Sequence, residues 1–75
     1  MNLPLKLLLF KLLIIHIATN NTYLTKERVM QIAQQIFIAN QINNLSNNDL
    51  QNPELFEMRK NQIITFFNSN YITAE

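Results

Sequence analysis

The single histidine of this 75-residue chain, His16, lies inside an apolar run with no carboxylate near it in sequence. It lacks the acid that would orient an imidazole for general-base work or metal ligation. His16 therefore reads as a satisfied or interfacial histidine. Asp49, Glu54 and Glu57 lie close together, and paired carboxylates can divide acid and base roles between them. Glu54 and Glu57, however, follow Pro53 at a helix start, where negative charge faces the positive end of the helix dipole. With no cysteine there is no thiolate nucleophile, thiolate metal site or disulfide framework. With no glycine there is no loop through which backbone can approach a phosphate, as the P-loop and dinucleotide fingerprints require. The expectation is a non-enzymatic chain without cofactor, metal or small-molecule substrate.

The six cations, Lys6, Lys11, Lys26, Arg28, Arg59 and Lys60, are scattered, and the formal net charge is only +1. Nucleic-acid binding depends on concentrated positive charge that displaces counterions. A helix-turn-helix is disfavoured further by a long connection without glycine and by a second helix that offers only Arg59 and Lys60. Asn20-Asn-Thr and Asn44-Leu-Ser match the glycosylation sequon, but about one such match is expected by chance in so asparagine-rich a chain, and it matters only in a eukaryotic secretory pathway. Asparagine supplies 12 residues and glutamine 6, so uncharged amides do much of the solvation. Because they alternate with aliphatic residues at regular spacing, they point to a folded chain rather than a low-complexity tract.

The elements that hold these residues begin with an uneven apolar distribution. Of the first 18 positions 13 are apolar, and from Leu3 to Ala18 only Pro4, Lys6, Lys11 and His16 interrupt the run. At about 100° per residue Lys6, Lys11 and His16 point three ways, so residues 1–18 have no polar side. Such a segment must be covered all round, by protein or by lipid. Three readings stand: a secretory signal, a membrane anchor, or a buried helix completed by another chain. The signal reading is weakened by Lys11 in mid-run and by His16 where a small residue is wanted before a cut at Ala18. The anchor is short, because sixteen helical residues rise about 24 Å against a hydrocarbon core of roughly 30 Å.

Residues 19–75 read as a small helical domain. Thr25 is an N-cap for a helix near 25–44, with Val29, Ile32, Ala33, Ile36 and Ala39 in one stripe and Phe37 at its edge. Beyond Phe37 the pattern becomes two-sided, because Ile38 and Ile42 fall on the glutamine side. Ser46 and Asp49 have capping-box spacing within the connection. Asn52-Pro53-Glu54 predicts a second helix near 53–68, antiparallel to the first, with Phe56, Ile63 and Phe67 on one face. Arg59 and Lys60 interrupt that face and are expected to bury their stems while raising their charges to water. A hairpin over 63–73 is the competing reading, since Ile63-Ile-Thr-Phe-Phe and Tyr71-Ile-Thr flank a plausible turn.

The fold class is therefore all-α: a helical hairpin or three-helix assembly with an apolar N-terminal helix. Bundles of this size are marginal alone. The expected function is a small interaction protein, an adaptor, chaperone or assembly subunit, completed by a protein partner or a second copy. The surface expected to carry it is Phe37, Ile38, Ile42, Phe56, Arg59, Lys60, Ile63 and Phe67. The alternative is a membrane-anchored or exported protein with 1–18 as anchor or signal. The first places the chain in a cytoplasmic complex, the second at or beyond a membrane.

Overall fold

The computed structural model describes residues 4–71. Four α-helices follow one another, α1 Leu5–Asn20, α2 Lys26–Ala39, α3 Asn47–Gln51 and α4 Pro53–Asn70, with a 3-10 turn at Ile42–Asn44. No strand occurs among the described residues, so the all-α class is that of the structure. Side-chain pairs give the directions. Phe10 meets Phe37 with ring centroids 5.1 Å apart, and the Lys6 ammonium donates to the Asn43 carbonyl at 2.9 Å, so α1 and α2 are antiparallel. Gln62 donates to Asn40 at 3.1 Å, and the Tyr71 hydroxyl donates to Gln35 at 3.1 Å. α4 therefore also runs antiparallel to α2, and the three long helices form an up-down-up bundle.

The starts of α2, α3 and α4 are local. Thr25 Oγ1 accepts from the Arg28 N–H at 3.1 Å, the N-cap bond expected of it. Ser46 and Asp49 form a reciprocal capping box at 3.1 and 3.3 Å, which shows that Asp is long enough for the role usually filled by Glu or Gln. Asn52 Oδ1 accepts from the N–H groups of Glu54 and Leu55, and Pro53 occupies the first helical position. Once begun there, α4 continues to Asn70, so the hairpin alternative is excluded over 63–70. Ile63 and Phe67, one helical turn apart, both enter the core, whereas a lone hairpin would lack the third strand it needs. Residues 72 and 73 lie outside the described residues.

The helix expected over 25–44 ends at Ala39 instead. Asn40 bonds back to the Ile36 carbonyl with both its backbone N–H, at 3.0 Å, and its side-chain amide, at 2.8 Å. Gln41 then turns left-handed, with φ 59°. A non-glycine residue there costs about 1 kcal/mol. The break redirects Ile42 into the core, where it is 0% exposed, and burial of such a side chain contributes roughly 2 kcal/mol. The larger effect decides the geometry. Ile38 and Ile42, expected on one side of a continuous helix, are thus separated, and Ile38 stays 67% exposed.

Asparagine also ends the helices. A glycine in the left-handed conformation commonly closes a helix, and this chain has none. Side-chain amides of Asn20, Asn21, Asn40 and Asn70 instead donate to the carbonyls of His16, Ile17, Ile36 and Phe66, four residues back in each case. Each bond adds a side-chain donor to a last-turn carbonyl, as at Ile36, which also accepts the Asn40 backbone N–H. α1 begins differently. Pro4 has no side chain to cap it, and the Leu5 N–H donates to Asn47 Oδ1 at 3.1 Å, from 42 residues along the chain.

One apolar core joins the long helices. Leu9, Leu13 and Ile17 of α1 meet Val29, Ile32, Ala33, Ile36 and Phe37 of α2 together with Ile63 and Phe67 of α4, while Ile42 and Leu50 close one end.

Candidate functional site on the open face of the first helix

α1 is apolar all round but covered on one side only. Leu9, Leu13 and Ile17, spaced by one turn, are each 0% exposed and face the core. On the opposite side Leu7, Leu8 and Ile15 remain 49%, 43% and 59% exposed. Large aliphatic groups at such exposure are normal when scattered singly, but here three of them share one helix face. Lys11 projects among them, sharing a shallow depression with Pro4, Leu7 and Leu8. Among the described residues it has no ion-pair partner. No acid precedes Glu27 in the sequence.

The surface continues across Leu7 into a groove between α1 and α2. Phe10 and Phe37, crossing edge to face at 82°, line it beside Leu7 and Ile38, and Lys6, Gln34 and Asn43 supply its polar rim. The groove is therefore built from the two helices whose pairing the aromatic contact fixes.

The residues expected from sequence divide between this surface and the interior. Phe37 and Ile38 lie at the groove, one in its wall and the other exposed. Ile42, Ile63 and Phe67 are core residues, 0%, 0% and 1% exposed, and present nothing to a partner. Phe56 is half-buried against that core. Arg59 and Lys60 are half-buried, as expected of cations that lay their stems on an apolar face. Each finds a local partner: Arg59 Nη1 donates to Gln62 Oε1 at 3.0 Å, and the Lys60 ammonium sits 3.0 Å from the Glu57 carboxylate. The structure does not bring these α4 residues together with Ile38. Leu7, Leu8, Lys11 and Ile15 were missing from the expected surface. Their signal was the absence of a polar side on α1, which shows that some apolar face must be left over but not which one.

His16 is half-buried at the α1–α4 contact. Its Nε2 lies 3.3 Å from Asn68 Oδ1, and its ring meets the edge of Phe67 at 5.7 Å. It ties two helices together and faces no nucleophile. Among the described residues no group of three or more His, Cys, Asp or Glu side chains is placed to hold a metal ion, and no helix is long and apolar enough to cross a membrane. No protein-family model, curated protein or solved structure matches this chain.

Proposed function

We propose that this chain is a small non-enzymatic interaction protein that associates with another chain through the open face of α1 and the adjoining α1–α2 groove. The observation that carries the reading is the group Leu7, Leu8 and Ile15, about half exposed on a helix whose other side is fully buried. A bundle of this size gains stability by covering such a face. The anchor or signal alternative is less well supported, because Leu9, Leu13 and Ile17 are spent on the chain's own core. Withdrawing residues 1–18 would open that core.

A photo-crosslinking amino acid placed at position 8 in the full chain, in the cells that express it, tests the reading. Position 65, exposed on α4, is the control. Crosslinking to a discrete protein from position 8 but not from 65 is the expected result. Crosslinking to lipid, or equal background from both positions, refutes it. A native chain whose N-terminus begins near Thr19 would favour the exported alternative.

A further inference from the structure

Two open apolar patches of opposite charge lie on different helices of this chain. On α1, Leu7, Leu8 and Ile15 surround Lys11, which is exposed and shares a depression with the two leucines. On the first turns of α4, Met58 is 50% exposed and shares a shallow depression with Pro53, Glu54, Glu57 and Asn61. Leu55, also exposed, stands at its margin, where it faces a separate depression with Asp49 and Arg59. The charges around Met58 are not all free. Glu57 is held by Lys60 at 3.0 Å, and Arg59 bonds Gln62. Glu54 is exposed and has no ion-pair partner among the described residues, and neither has Lys11. The α1 patch thus lacks an anion and the α4 patch lacks a cation. The patches also match in length, since Leu7 to Ile15 and Pro53 to Asn61 span the same number of residues, a rise of about 12 Å each.

We infer that the open face of α1 packs on the start of α4 in a second copy of this chain, with Lys11 set against Glu54 and the α1 aliphatic groups covering Met58 and Leu55. The inference rests on the reading of the α1 face as an interaction surface. Two bundles meet outer face to outer face in this contact, and neither enters the core of the other. A different partner on α1 leaves the α4 patch open, whereas one kind of contact between copies covers both. Pairing α1 with α1 would oppose Lys11 to Lys11, and pairing α4 with α4 would oppose Glu54 to Glu54; like charges disfavour both. A membrane with anionic headgroups attracts Lys11 but repels Glu54. Because unlike surfaces meet, the contact is heterologous, and each copy offers one patch of each kind to its neighbours. Position 65, about two turns beyond Met58, stays outside it.

Sedimentation equilibrium of the full chain tests the contact by charge exchange. The mean mass of the wild-type chain is expected to rise with concentration. Lys11→Glu and Glu54→Lys should each, alone, weaken association about tenfold or more. An equimolar mixture of the two variants should restore it, because the α1 of each then meets opposite charge on the α4 of the other. Recovery on mixing also shows that both variants are folded. Should Glu54→Lys lose far-UV circular dichroism, Glu54→Gln removes the charge without placing a cation at the helix start, and it too should weaken association. Association that Leu8→Asp abolishes but that neither Glu54 variant changes overturns the contact with α4. A wild-type monomer at all concentrations whose position 8 crosslinks to a different protein overturns the second copy and leaves the interaction surface standing. A monomer that binds mixed phosphatidylserine and phosphatidylcholine vesicles, and loses them on Leu8→Asp, overturns both.

Discussion

Leu13 and Ile15 lie two residues apart on α1, and the bundle gives them opposite fates. Leu13 is 0% exposed in the core, whereas Ile15 is 59% exposed. Leu13→Ala removes a fully buried side chain and leaves a cavity that its neighbours fill only in part, at about 3 kcal/mol or more. Ile15→Ala loses only the minor, covered part of a side chain worth roughly 2 kcal/mol when wholly buried. It also regains a few tenths of a kcal/mol, about 0.4, from the better helix propensity of alanine. The net cost at Ile15 is about 0.5 kcal/mol or less. A domain of this size has a total stability on the order of 5 kcal/mol. Leu13→Ala should therefore leave the chain close to unfolding at physiological temperature, and Ile15→Ala should leave it intact. Urea denaturation followed by circular dichroism reads the contrast: with a slope of about 1 kcal/mol per molar for a small protein, the midpoint should fall by about 3 M for Leu13→Ala and by well under 1 M for Ile15→Ala. Equal falls would show that α1 is covered on both sides and would remove the open face. A negligible fall for Leu13→Ala would show that α1 does not dock as described.

Other expectations follow from single interactions. Gln41→Gly should stabilise the protein by about 1 kcal/mol in the same denaturation assay, because glycine adopts φ 59° without the clash of a Cβ. Asn47→Ala should cost about 1 kcal/mol, since it removes the cap on the Leu5 N–H; this is the size of a lost N-cap bond. Amide hydrogen exchange should locate its effect at the start of α1, far from the substitution in sequence. Glu57→Gln should change the unfolding free energy little, by about 0.5 kcal/mol or less, because its pairing with Lys60 is a partly exposed i, i+3 ion pair. Deleting residues 1–18 takes Leu9, Leu13 and Ile17 from the core, and the remainder should show no cooperative thermal transition.

What could be read without the structure was whatever lies within about four residues of itself. The Thr25 cap, the Ser46–Asp49 box and the Asn52-Pro53-Glu54 start are each a hydrogen bond or a fixed φ between near neighbours, so residue type and spacing suffice to place them. The buried stripe of α2 was legible for the same reason, since polar glutamines opposite Val29, Ile32 and Ile36 leave only one face to bury. The end of α2 was not. Residues 40–44 contain no helix breaker, and the left-handed turn at Gln41 exists because the core offers Ile42 more than a continued helix would. The cap on α1 was invisible too, because it comes from Asn47 across the bundle. The open face is the clearest case. A segment apolar on every side carries no directional information, so the sequence by itself determined only that residues 1–18 have no polar side. Only the packing of α2 and α4 decided that Leu9, Leu13 and Ile17 are covered while Leu7, Leu8 and Ile15 stay open around Lys11, which has no ion-pair partner among the described residues.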